Sequence, residues 1–155
     1  METTSELVET PYPAKSRTAV ADIASISTTV TSVSFTDRIL LTVAQSGRVN
    51  HWVHVPLVRG AASEMLALSQ PPTYSGEGPD SSLLPLNELT ATTVLGGTKE
   101  EFEVVGQTLA TTVASAILMR NGEERRTLVL GLGLAKADLG RSDFDGLVGL
   151  CLDVI

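Results

Sequence analysis

Apolar and polar positions change their rhythm several times along the chain. Residues 1–17 show no period and hold Pro11 and Pro13 close together, so they read as a flexible N-terminal arm. From Thr18 a period of two sets in. Ile26, Thr28 and Val30 share one parity and Val33 and Phe35 the other, which predicts a strand with a bulge near Thr31 and Ser32. Ile39 to Ala44 is apolar on both parities and predicts a central strand covered on both faces. Gln45-Ser46-Gly47-Arg48 then reads as a tight hairpin turn, with Gly47 at positive φ. The returning strand sets Val49, His51, Val53, Val55 and Leu57 on one face and Asn50, Trp52 and His54 on the other.

Composition shifts at Gly60. The stretch to Leu89 is rich in Pro, Gly and Ser and reads as an inserted flexible loop at 60–89, with two turns of helix over Ala61 to Leu68. Thr90 to Leu95 resumes a strand and stops at Gly96-Gly97. Thr98-Lys99-Glu100-Glu101 has the form of a capping box. Phe102, Val105, Leu109, Val113, Ala116 and Ile117 follow as one apolar stripe of a helix, which Gly122 ends in a left-handed cap. Thr127 to Lys136 predicts a strand with leucines on one face and small residues on the other, open to close approach by another element. Ser142-Asp143-Phe144-Asp145 opens a second helix with a Phe144, Leu147, Val148, Cys151 and Ile155 stripe. The order predicts an α+β fold: a mainly antiparallel sheet of about six strands with two helices packed on one face, in a single domain over 18–155.

Charge and chemistry narrow the function by exclusion. The 155 residues carry 11 Lys+Arg against 18 Asp+Glu, a net charge of −7. The excess is spread evenly along the chain, without the basic cluster that phosphates or anionic lipids require, so neither nucleic acid nor a membrane is an expected partner. The N-terminus lacks the pattern of a secretory signal and Cys151 is the only cysteine, which points to the cytoplasm or nucleus. Gly131-Leu132-Gly133 lacks the third glycine of a dinucleotide site, and Gly97-Thr98-Lys99 reverses the order of a phosphate loop. His51 and His54 diverge on an extended strand, so no metal or other cofactor is expected. No nucleophile elbow occurs, and no enzyme is expected. Trp52, the only tryptophan, stands on the polar side of its strand, either in a small second core under the insertion or as an interface anchor.

One ordered set of segments resembles a known family. It comprises Arg38 to Val49 with its Gln45-Ser46-Gly47-Arg48 turn, Thr92 to Gly97 before a helix, Leu128 to Lys136, and Phe144-x-x-Leu147-x-x-Leu150. Taken in order, these resemble proteasome assembly chaperone 3, with the arm and the 60–89 insertion like a fungal-type elaboration. The resemblance implies a chaperone without enzymatic activity. It implies pairing with a structurally similar assembly chaperone 4-like subunit, binding of α-type proteasome subunits, chiefly at the α5 position, and promotion of α-ring assembly. Within that frame Trp52, His54 and Arg48 are the candidate contacts in the domain, and Glu77 and Asp80 in the loop would tether basic patches. A dimeric scaffold domain of the longin or roadblock type is the alternative.

Overall fold

In the computed structural model, which describes residues 14–58 and 89–155, the strands form one six-stranded sheet. In chain order the elements are β1 (Lys15–Ile23), β2 (Ile26–Ser34), β3 (Arg38–Gln45), β4 (His51–Pro56), β5 (Thr92–Leu95), α1 (Glu100–Arg120), β6 (Thr127–Gly133) and α2 (Arg141–Asp153). The strands lie in the order β1-β2-β3-β6-β4-β5, antiparallel throughout except for β3 beside β6. The expected α+β architecture is therefore present. The 61–68 helix and the 60–89 loop, Leu89 apart, lie outside the described residues, and so does the arm before Ala14.

Both helices cover the same face of the sheet. On that face Val30 of β2, Leu41 and Val43 of β3, Leu128 and Leu130 of β6, and Val53 and Val55 of β4 are wholly buried. From α1, Leu109, Ala110, Val113 and Ala114 reach them, and α2 adds Leu147 and Cys151. The predicted α1 stripe is correct in direction but too narrow, because Ala110, Ala114 and Leu118 form a second buried row. α1 has the length and apolarity of a membrane span, and half of that segment is buried as a core helix.

The main departure from the sequence reading lies at the Gln45–Arg48 turn. Ser46 and Gly47 do have positive φ, but only Gln45 and Arg48 pair across the turn. β6 lies between β3 and β4, so these two strands are neighbours in sequence and not in the sheet. The expected β2 bulge is also absent: β2 pairs in unbroken register on both sides. Val33 faces the side away from the helices, opposite Leu40, and that contact mimics a slip in the period. β1 begins at Lys15, three residues inside the expected arm, because Lys15, Ser16 and Arg17 are polar on both faces and show no period.

Neither helix start carries the expected cap. α1 has Lys99 at its N-cap, one residue after Thr98, and α2 has Gly140; neither makes a side-chain capping bond. Asp143 instead accepts a hydrogen bond from the Ala24 backbone at 3.3 Å, tying α2 to the β1–β2 turn. There Ala24 and Ser25 both have positive φ, at a cost of roughly 1 kcal/mol per residue. At the end of α1, Asn121 is extended and Gly122 does not take the left-handed conformation.

One ion pair, which the sequence patterns did not indicate, ties the start of β6 to the end of β2. Glu124 and Arg126 meet at 2.7 Å, and the Arg126 guanidinium also donates to Ser34 Oγ at 2.7 Å and to the Phe35 carbonyl at 3.1 Å. The hydrogen bond from Arg126 holds the Glu124 carboxyl well below its usual range, down to about 2. A carboxyl depressed on folding stabilises the native state above its unfolded pKa, and that stability is lost as pH falls through the folded value. Between about pH 5 and pH 2 the protein is therefore expected to lose about 2–3 kcal/mol that Glu124→Gln does not lose, read from denaturant midpoints across pH. Leu109→Ala is expected to cost about 2–5 kcal/mol. Thr98→Ala, at a position that caps nothing, should stay within about 0.5 kcal/mol in the same measurement.

Candidate interaction surface

The face of the sheet away from the helices has no helix over it among the described residues. Its composition follows from the strand registers. One row runs across all six strands: Thr18, Thr31, Thr42, Gly131, Trp52 and Leu95 stand opposite one another in turn. The next row is Ser16, Val33, Leu40, Val129, His54 and Thr92. These two rows hold a single ionisable side chain, that of His54, in a protein with 29 Asp, Glu, Lys and Arg residues (11 basic and 18 acidic). Thr18 Oγ1 and Thr31 Oγ1 are 3.1 Å apart, and the Thr42 hydroxyl donates to the Thr31 backbone carbonyl at 3.5 Å. Leu95 and, in the flanking row, Val20 are more than half exposed. Depletion of charge over a connected apolar and threonine surface is the composition of an interface core.

Trp52, on the strand next to the β5 edge, is half-buried, with its ring across Gly131 of β6. A Cβ on Gly131 would sit 2.8 Å from Trp52 Cζ3 and 2.8 Å from Val49 Cγ1. Gly131 thus makes room for the indole, which packs on the sheet while keeping an exposed side. Val49 shares this contact and does not join the buried face where the sequence pattern placed it. Gly133 is tighter still. A Cβ there would collide with the Arg48 backbone carbonyl, so the β3–β4 connection crosses directly over the end of β6. The element expected to approach the small face of β6 is this connection together with Trp52.

The fold thus brings Trp52 and His54 onto one surface and places Arg48 at its rim. Glu77 and Asp80 lie outside the described residues. Thr31, Thr42, Leu40 and Leu95 belong to the surface and were not singled out from the sequence. The alternating Thr and Val of Ile26 to Ser34 carried the signal, since a strand with β-branched residues on both parities has two faces to cover.

Beside this rim a cavity of about 710 Å³ opens between the β3–β4 connection, the Gly96-Gly97 turn and the start of α1. Arg48 and Lys99 border it, and His51 stands within it. His51 is 4 % exposed, with Nε2 3.3 Å from Thr93 Oγ1. Its ring fills the space that side chains at Gly97 and Gly106 would occupy. His54 points to the opposite face, so the two imidazoles do not converge. Cys151 is fully buried, and burial pushes its thiol up to about 12, which leaves it protonated and a poor nucleophile.

A two-layer α+β domain with one helix-covered face and one charge-poor sheet face is the class of protein these features define. No protein-family model matches the chain, and no curated protein matches it. Among solved structures, the chain is similar to one in the crystal structure of a chaperone complex for yeast 20S proteasome assembly. The TM-score is 0.51 at 14 % identity, over 92 % of this chain and 97 % of that one. At that identity the likeness establishes a shared fold.

Burial lowers the His51 pKa, with Glu103 opposing weakly. The unfolded chain then takes up a proton before the folded one does, so stability is lost as pH falls below about 6.5. Denaturant midpoints between pH 7.5 and 5 should therefore fall less steeply in His51→Gln than in the unaltered protein. Parallel curves would assign that proton uptake to another group.

Proposed function

We infer that this protein is a proteasome assembly chaperone that works as half of a heterodimer with an assembly chaperone 4-like subunit. The pair binds α-type proteasome subunits, chiefly at the α5 position, and promotes formation of the α-ring of the core particle. The observation that carries this reading is the shared fold with a chain of the yeast 20S assembly chaperone complex over nearly the full length of both. The ordered motifs from Arg38 to Leu150 point the same way. The role needs no catalytic group: the protein acts by binding and release, in the cytoplasm or nucleus.

The charge-poor sheet face supplies the physical basis for pairing. A second sheet laid on it would remove Leu95, Val20 and the exposed side of Trp52 from water, and flat β-branched rows suit sheet-on-sheet packing. Trp52 is the anchor of that contact, with His54 beside it and Arg48 at the rim. The α subunit binds the assembled pair through a separate and more polar contact, as a complex that must later dissociate requires.

Affinity purification of the tagged protein tests this reading. It should recover an assembly chaperone 4-like subunit together with α subunits. Trp52→Asp should remove the partner, while the free variant still folds cooperatively with a thermal transition lowered by the lost packing of the indole on Gly131. Pairing should also shift the fluorescence of the only tryptophan to shorter wavelength. If the purified protein binds no α subunit at micromolar concentration, with or without that partner, the chaperone reading fails.

A further inference from the structure

The two edges of the sheet are built differently. β5 is four residues long and shifts register between Trp52 and Val53, so it offers little regular backbone to another strand. β1 runs for nine residues in unbroken register with β2 and contains no proline. Alternate residues of an edge strand turn their N–H and C=O groups away from its neighbour, so the outer side of β1 carries a row of backbone donors and acceptors. All of β1 except Ala19 and Ile23 is exposed.

The charges on this edge are sorted by face. Lys15 and Arg17 stand opposite Ser34 and Ser32, and Ser32 is buried on the helix side. Both cations therefore project to that side. Together with Arg126 they border a hollow of about 190 Å³ whose described lining includes no Asp or Glu. Arg126 is fixed by its pair with Glu124, while Lys15 and Arg17 stay exposed beside the hollow, Arg17 with one long contact of 3.5 Å to the Ile155 main-chain oxygen. Asp22, the one carboxylate of β1, has the opposite parity and lies on the other face.

We propose that the outer edge of β1 receives an added strand from a partner protein, and that acidic side chains at alternate positions of this strand reach the hollow bordered by Lys15, Arg17 and Arg126. The geometry matches on both counts. Residues two apart on a strand are about 6.7 Å apart on one face, so carboxylates at positions i and i+2 of the incoming strand fall beside Lys15 and Arg17. Main-chain hydrogen bonds supply the affinity and the charge pairs select the sequence. A second copy of β1 does not fit. Two-fold antiparallel pairing keeps each face continuous, so Asp22 of one copy stays on the face away from Lys15 and Arg17 of the other. The site is separate from the charge-poor face and stands whether or not that face pairs with a chaperone subunit.

The probe is a nine-residue synthetic peptide with glutamate at alternate positions and valine or threonine between, titrated into the isotopically labelled full chain. Amide shifts and slowed exchange should concentrate on β1. A peptide with lysine in place of each glutamate should bind about tenfold more weakly, and the Lys15→Glu/Arg17→Glu protein should reverse that preference. N-methylation of one alternate set of peptide amides should abolish binding, while the other set tolerates it. Equal affinity for the two peptides, indifference to N-methylation of either set, shifts confined to other elements, or no binding at millimolar peptide would each overturn the proposal.

Discussion

The structure depends on the passage of β6 between β3 and β4. These two strands are joined by only five residues, Ser46 to Asn50, and without β6 they would close on each other as a hairpin. β6 holds its place through three buried leucines, Leu128, Leu130 and Leu132, and through polar contacts at its end. The Gln45 side chain accepts from the Ala135 backbone N–H at 2.8 Å and donates to Thr28 Oγ1 at 2.9 Å, while the Asn50 N–H bonds the Leu132 carbonyl at 2.9 Å. The connection can cross over β6 only because Gly133 has no side chain. Gln45 and Ala135 are 90 positions apart, so this part of the sheet rests on a contact that no local segment can supply.

That passage also creates the two unlike faces of the sheet. With β6 in the centre, its leucine parity meets the helices and its glycine parity lies open. The glycines admit Trp52 on the open side, and the threonine rows of β2 and β3 continue the surface outward. The face buries little by itself, and the scarcity of charge in its two middle rows, with Asp22 and Arg38 only at its margins, makes it costly in water and well suited to a second sheet. The strand edges are built on another principle. β5 is short and bulged, whereas β1 is long and regular, with basic residues on the helix side.

Much of this was legible in local sequence. The alternation in β4 placed His51 inward and Trp52 and His54 outward, because a strand has only two faces. The leucine–glycine alternation of β6 correctly indicated close approach by another element. The long apolar stripe of α1 was plain, as was a turn at Gly47. Capping was misread at both helices: Thr98 sits one residue early, and Asp143 bonds the β1–β2 turn, a contact made 119 positions away in sequence. The Glu124–Arg126 clamp had no sequence signature, since charges two residues apart are commonplace on any surface.

The sequence by itself determined which segments become strands and helices and which parity of each is apolar, because those are properties of residues within a few positions of one another. The order of the strands, the parallel β3–β6 pair and the composition of the open face were decided by tertiary structure alone. Each rests on which distant segments share backbone hydrogen bonds, and every strand presents the same donors and acceptors whatever its side chains. The turn at Gln45 shows the difference. Its residues dictate the tight bend, but the burial of β6's leucines between β3 and β4 separates the two strands that the bend would otherwise join.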